Sequence, residues 1–256
     1  MSATPPAPVF RRLLPEPREL TAGQLLGSLD LVARAPKHRP YTIVNFVASA
    51  DGRAAFKGRS APLSDAGDRA MFHGLRERVD AVFAGMGTIR AERYGRLVRD
   101  PERRRRRAAH GLAPDPLACL FTRSGDVPRE IPLFADASSR IAIFAPHPPE
   151  LDGVAASVEV VALDPGELTL TTMMRRLRTD FDVRALLCEG GPTVFGALLG
   201  EGLVDELFIT IAPRLTGGGT DPTVTSGPGL ATPTELKLVW IVERDGSLFL
   251  RYAHTP

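Results

Sequence analysis

Lysine is nearly absent from this chain of 256 residues: Lys37, Lys57 and Lys237 are set against 32 lysines and arginines together. The positive charge is therefore almost all arginine, whose planar fork suits phosphate. Acids number 30, the net charge is +2 and the pI is near 8.7, too weak a bias to imply nucleic acid. Cysteine is scarce too. Cys119 and Cys188 each sit alone in an apolar run, which excludes a disulfide scaffold and reads both as core. No stretch approaches about 18 uninterrupted apolar residues, so no membrane span is expected. Met1–Pro8 lacks a charged region followed by an apolar one, so no signal peptide is expected and a cytoplasmic protein is the default. The histidines are scattered and no His-x-Glu or Cys-x-x-Cys occurs, so no metal centre is expected. A Gly-x-x-x-x-Gly-Lys phosphate loop and a Gly-x-Ser-x-Gly elbow are also missing.

What is present is an ordinary globular composition, 43% hydrophobic and 24% charged. Residues 1–38 read as an N-terminal extension, partly disordered, with Met1–Pro8 small and proline-rich. Within it Thr21 caps a short helix through Ala33, with Leu25, Leu26 and Leu29 on one side. Residues 39–256 read as one domain. Tyr41–Ala48 is a β-branched run suited to a buried strand, closed by the turn Ser49-Ala50-Asp51-Gly52. Ser64–Gly67 opens a helix carrying Met71, Phe72, Leu75 and Val79 at helical spacing. Further strands are expected over Asp80–Gly85, Pro116–Thr122, Ile141–Ala145, Val158–Ala162, Val183–Cys188 and Val204–Ala212, with helices over Glu167–Thr179 and Thr193–Glu201. Asp245-Gly246 joins two last strands as a hairpin. Strand–helix alternation closed by antiparallel strands predicts an α/β sandwich around a mostly parallel sheet.

Ligands of such sheets bind at the carboxyl ends of strands, where three glycine-bearing turns fall. Gly85-Met86-Gly87-Thr88 follows a strand and opens a helix, a place where phosphate approaches bare backbone. A Rossmann fingerprint fails there, because its third glycine falls at Arg90. Glu189-Gly190-Gly191-Pro192-Thr193 repeats the arrangement, with an acid at the strand end. A tight steric turn explains either motif alone; two in one sheet favour an extended phosphate-bearing ligand. Asp51 beside Ser49 reads either as a turn former or as a carboxylate orienting a polar substrate. Thr122-Arg123-Ser124-Gly125 suits a 2′-phosphate or a solvated turn equally. The run Arg103–Arg107 has no interleaved aromatic and reads as a solvated helix face, with steering of an anion as its alternative.

Taken together, these positions resemble the reductase domain of riboflavin biosynthesis, which has the dihydrofolate-reductase-like fold. The segments that carry the resemblance run in family order from Tyr41 to Tyr252. They are Ser49–Arg53, Leu75-Arg76 before Asp80-Ala81-Val82, Gly85–Glu92, Glu189–Thr193, Leu203–Leu207 and Ile211-Ala212-Pro213 with Gly217-Gly218. The resemblance implies a three-layer sandwich, a homodimer and NADPH-dependent reduction of a small heterocycle. In most members that is a ribosylaminopyrimidine phosphate such as 5-amino-6-(5-phosphoribosylamino)uracil, with hydride passing to C1′ of its imine form. It implies NADPH contacts at Ala48, Gly85, Gly87, Thr88, Glu92, Arg123, Ser124 and Gly190, and along Gly191, Pro192, Thr193 and Val194 through Ala197. It implies substrate contacts at Asn45, Ser49, Ser60, Arg76 and Arg99, and chemistry at Asp51 and Glu189. The chain departs from the family at Asn45, where many members have lysine, at Glu92-Arg93-Tyr94, and at Ala61-Pro62-Leu63, where Trp-Ile is usual. The deaminase domain often fused to this reductase has no counterpart in the sequence, which implies a stand-alone reductase. Reduction of another heterocycle such as dihydrofolate is the alternative, and a non-catalytic binding module is a third reading.

Overall fold

The apolar runs become strands of one sheet. The computed structural model describes residues 7–255, which contain, in chain order, β1 (Val9–Leu14), β2 (Arg18–Thr21), α1 (Ala22–Gly27), β3 (Tyr41–Ser49), α2 (Ala66–Arg76), β4 (Ala81–Ala84), α3 (Met86–Ala91), α4 (Pro101–Ala109) and β5 (Leu117–Phe121). They continue with α5 (Pro132–Ala135), β6 (Arg140–Ala145), β7 (Ser157–Ala162), α6 (Leu170–Asp180), β8 (Ala185–Gly190), α7 (Pro192–Gly200), β9 (Glu206–Ala212), β10 (Leu236–Arg244) and β11 (Ser247–His254). The sheet runs β2-β1-β10-β11-β9-β3-β8-β4-β5-β6-β7. From β9 to β7 all neighbours are parallel; from β2 to β9 all are antiparallel. The mostly parallel sheet and the hairpin are as the sequence led us to expect. The β10–β11 turn places both Asp245 and Gly246 at positive φ, which this residue pair tolerates. No helix among the described residues is long and apolar enough to cross a membrane.

Successive side chains of a strand point to opposite faces. Ile43, Val82, Leu120, Ile143 and Leu187 pack with Leu26, Met71, Leu75 and Ile89 of the first three helices. Their neighbours Val44, Phe83, Cys119, Phe144 and Cys188 pack with Met173, Leu177, Phe195 and Leu198 of α6 and α7. A layer of helices on each face of the sheet makes the three-layer sandwich. Both cysteines are core, and burial pushes the Cys188 thiol up to about 12 and the Cys119 thiol higher still.

Two expectations need correction. Residues 1–38, expected as an N-terminal extension, are in part built into the sheet: β1 pairs with β10 and β2 with β1. The reason is Phe10, fully buried and edge-on to Phe249 at 5.1 Å between ring centres. Thr21 caps α1 through a reciprocal box with Gln24, but the helix stops at Gly27 rather than Ala33. Of Met1–Pro8, expected to be disordered, residues 1–6 lie outside the described residues. The second correction is the arginine run, which is a solvated face only in part: Arg105 and Arg106 are exposed, but the others are drawn inward. Arg107 is fully buried and donates to the carbonyls of Arg76, Val79 and Ala113. Arg103 and Arg106 pair with Glu77, Arg104 donates to the carbonyls of Val98 and Arg99, and Arg105 pairs with Glu102.

The Leu203–Leu207 segment fastens β9 to β3. Asp205 accepts from both outer nitrogens of Arg39, at 2.6 and 2.8 Å, and from the backbone N–H of Thr42 at 2.7 Å. The buried Glu206 accepts from the Tyr41 phenol at 2.9 Å and from Arg251 at 2.7 Å.

Candidate active site

A cavity of about 850 Å³ opens beside the carboxyl ends of β3 and β8. Its walls come from α2, α3, the loop after β3 and the segment after α3. Helix α2 starts where the sequence placed it, because Asp65 caps it by accepting from the Asp68 N–H at 2.8 Å. The α2 face carrying Asp68, Phe72 and Arg76, one turn apart, lines the cavity.

Sheet order sets the glycine turns side by side. Because β8, β4 and β5 are neighbours, the turn Glu189–Thr193, the turn Gly85–Thr88 and the pair Arg123-Ser124 follow adjacent strand ends. The first two interlock: the Gly85 N–H donates to the Gly190 carbonyl at 2.8 Å. A Cβ on Gly85 would lie 2.8 Å from Val194, and one on Gly191, whose φ is +56°, 2.9 Å from Thr88 Oγ1. Gly87 differs, since a Cβ there would meet nothing within 4 Å. Gly87, Thr88, Gly191 and Pro192 all line the cavity. Gly191 begins α7 with no side-chain cap, so the first-turn N–H groups have no side chain competing for them. This bare backbone fits a dinucleotide pyrophosphate.

At the head of the Glu189–Thr193 turn lies a buried ion pair. Arg76 donates through Nε to Glu189 Oε1 at 2.6 Å and through Nη2 to Oε2 at 2.7 Å, while its Nη1 donates to the Leu97 carbonyl at 2.7 Å. The Tyr94 phenol donates to Glu189 Oε2 at 2.8 Å. The guanidinium stacks 4.3 Å from the Phe72 ring centre. Burial pulls the Arg76 pKa down, but Glu189 reverses this and leaves it raised; burial and then the Glu189 charge push Tyr94 up. Nearby, His73 is held down to about 4 by burial and by the charges of Arg76 and Arg103. Arg93 and Arg99 line the cavity exposed, without an acidic partner among the described residues. Asp68 lines it more than nine-tenths buried.

A model of the RibD C-terminal domain matches residues 40–249. The chain belongs to the RibD C-terminal domain family. A 2,5-diamino-6-ribosylamino-4(3H)-pyrimidinone 5′-phosphate reductase of Archaeoglobus fulgidus is 30% identical over 192 residues, 74% of this chain and 87% of that one. The riboflavin biosynthesis protein RibD of Mycobacterium tuberculosis strain H37Rv is 28% identical over 70% of this chain, which spans 44% of that longer protein. Among solved structures, a pyrimidine reductase-like protein of Corynebacterium diphtheriae superposes with a TM-score of 0.77 at 24% identity, covering 93% of this chain and all of that one.

Several residues singled out in the RibD-type sequence do come together. Asn45, Ser60, Arg76, Gly87, Thr88, Glu92, Arg99, Glu189, Gly191 and Pro192 line one cavity. Ser60 and Glu92 are joined directly, the Ser60 N–H and hydroxyl both donating to Glu92 Oε1 at 3.1 and 3.0 Å. Thr193 and Val194 continue from Pro192 into α7, with Thr193 bonded to Ser226 at 3.1 Å. Others stand apart from the cavity wall. Asp51 accepts from the backbone N–H groups of Thr216 and Gly217, at 3.1 and 2.7 Å, and from the buried Ser49 hydroxyl. The Ser49 hydrogen bond first, then those N–H groups, hold its carboxyl down to about 2. Asp51 and Ser49 thus pin the loop after β9 to the end of β3. Ala48 is buried in β3, and Arg123 and Ser124 are exposed after β5. Arg76, a substrate contact implied by the resemblance, has its fork filled by Glu189. The sequence reading missed Tyr94, His73, Arg93 and Asp68. Only Asp68 and Arg76, eight residues apart on one helix, left a periodic signal.

Proposed function

We propose that the protein is a reductase of riboflavin biosynthesis that uses NADPH to reduce a phosphorylated ribosylaminopyrimidine to its ribitylamino product. The observation that carries this reading is one cavity lined together by the interlocked glycine turns, by Arg93 and Arg99, and by the Arg76–Glu189–Tyr94 cluster. Membership of the RibD C-terminal domain family and the reductase relative from Archaeoglobus fulgidus support it.

When bound, the reduced nicotinamide supplies the hydride that C1′ of the substrate imine accepts. The chain's own part is placement, which contributes up to roughly 7–11 kcal/mol in well-oriented reactions. Gly85, Gly87, Thr88, Glu92, Gly190, Gly191, Pro192, Thr193 and Val194, with Ala48 on β3, form the cofactor side. Arg123 and Ser124, exposed after β5 beside the strand that leads into the Gly85 turn, offer a charge and a hydroxyl to the 2′-phosphate of NADPH. Asn45, Ser60 and Arg99 form the substrate side, with Ser49 at the end of the same strand as Asn45, and Arg93 and Arg99 offer charged forks to the 5′-phosphate. Glu189, its carboxylate held by Arg76 and Tyr94, lines the cavity where the ribosylamino group would lie. Asp51 acts from outside by holding the loop after β9.

We assign the active form to a homodimer. On the face of the antiparallel strands away from Phe208 and Trp240, Leu207, Ile209, Ile211 and Leu250 are half-buried and Leu248 is exposed. Two such strips closing on each other would complete their burial. The test is fluorescence titration with NADPH and with NADH, followed by turnover of the ribosylaminopyrimidine phosphate and of dihydrofolate. Tighter NADPH binding with turnover of the former alone supports the reading. Binding of neither cofactor, or turnover of dihydrofolate alone, overturns it.

A further inference from the structure

Asp68 is 6% exposed, lines the cavity and has an oxygen, Oδ1, with no hydrogen-bond partner among the described residues. Its other oxygen accepts from the Ser64 hydroxyl at 2.6 Å. A buried acceptor left unpaired costs roughly 1–3 kcal/mol, and most such groups in folded proteins find a donor. The carboxylate torsion is soft, so either oxygen can turn to the cavity. Burial raises the Asp68 pKa, and the nearby hydroxyls of Ser64 and Thr210 offset this only in part. A carboxylate so placed gains from any ligand that brings it N–H donors.

Asp68 and Arg76 lie two turns apart on one face of α2, a rise of about 12 Å. That span takes a pyrimidine ring at the Asp68 end with its ribosylamino arm reaching Glu189 at the Arg76 end. Building on the reductase reading above, we propose that Asp68 reads the C2–N3 edge of the pyrimidine and selects a 2-amino-4-oxo ring over a 2,4-dioxo ring. The 2-amino-4(3H)-pyrimidinone edge offers two adjacent donors, the exocyclic amine and N3–H, which match the two oxygens of a carboxylate. A uracil ring offers N3–H beside a C2 carbonyl, which sets acceptor against acceptor and leaves a buried group unpaired. The relative from Archaeoglobus fulgidus is named for a ring of the 2-amino kind.

The experiment compares kcat/KM for two 6-ribosylaminopyrimidine 5′-phosphates, one with a 2-amino and one with a 2-oxo group, in the wild-type protein, Asp68→Asn and Asp68→Ala. The wild type is expected to prefer the 2-amino substrate at least about tenfold, the worth of one charged hydrogen bond. Asp68→Asn offers one acceptor and one donor and is expected to reverse that preference with NADPH affinity unchanged. Equal kcat/KM of the wild type for the two substrates overturns the Asp68 assignment and leaves the reductase reading standing. Equal losses on both substrates in Asp68→Asn make the residue structural and overturn it as well. A wild type that binds NADPH and turns over neither substrate overturns both readings. Should neither variant fold, calorimetric titration of the wild type with 2-aminopyrimidin-4(3H)-one and with uracil decides. Tighter binding of the former by about tenfold supports the assignment, and equal or reversed affinities overturn it.

Discussion

The Tyr94 phenol donates to the same Glu189 oxygen, Oε2, that accepts from Arg76 Nη2, at 2.8 and 2.7 Å. One carboxylate is thereby held from two directions, by a guanidinium fork and by a phenol, and has little freedom left to rotate. Tyr94→Phe removes only the second hold. A neutral hydrogen bond is worth about 1 kcal/mol net, so kcat is expected to fall about fivefold with the dissociation constant for NADPH unchanged. Steady-state kinetics alongside a cofactor titration check this.

Glu189→Gln is expected to lower turnover more than NADPH affinity. It keeps the shape of the side chain but leaves the Arg76 guanidinium, 8% exposed, without its counter-charge. Breaking a buried pair from one side costs about 3–5 kcal/mol, so a lowered Tm accompanies the kinetic loss. If neither turnover nor Tm moves, Glu189 has no part in the site.

Gly87→Val tests the cofactor turn without disturbing the fold, because a Cβ at Gly87 meets no atom within 4 Å. The added side chain fills space where phosphate would approach the backbone. Circular dichroism and Tm are expected to stay close to wild type while NADPH binding weakens tenfold or more, about 1.4 kcal/mol. Unchanged affinity in the folded variant removes the pyrophosphate from this turn.

Arg107→Ala and Arg105→Ala separate the two characters of the arginine run. The first leaves the carbonyls of Arg76 and Val79, both buried, and that of Ala113 without a donor and is expected to cost about 2–4 kcal/mol. The second removes an exposed pair with Glu102 and is expected to stay within about 0.5 kcal/mol. Urea denaturation of both variants provides the comparison.

His73 gives a pH dependence with a definite sign. Its pKa lies near 4 in the folded protein against 6.5 as an ordinary histidine. Between those values the unfolded chain binds the proton and the native one does not, so stability is full above pH 6.5 and falls as pH drops toward 4. The urea midpoint of wild type relative to His73→Asn should decline over that window. A pH-independent difference between the two would place His73 outside this linkage.

Much of the fold is legible because periodicity is local. The run from Leu117 to Phe121 alternates between two helix layers as a strand buried on both faces must, and Asp245-Gly246 marks its hairpin by turn chemistry alone. The strand-end glycine turns are legible as local motifs, but the close approaches that require Gly85 and Gly191 come from each other's turn, from Val194 and Thr88. Strands β1 and β2 were not legible: they are short, flank two prolines, and owe their place to Phe10 meeting Phe249, far along the chain.

The sequence by itself determined the α/β architecture, the strand-end glycine turns and the family of the chain, because each rests on residues a few positions apart. Only the tertiary structure decided which charged groups are free. Arg76 has its fork taken by Glu189, which is 113 residues away. Asp51 turned to Thr216 and Gly217, Arg107 went into the core, and Asp68 was left with an unpaired oxygen beside the cavity. The reason is that a hydrogen bond is a matter of distance in space. A side chain's partners come from whichever strands the sheet order makes neighbours, and no spacing along the chain records that order.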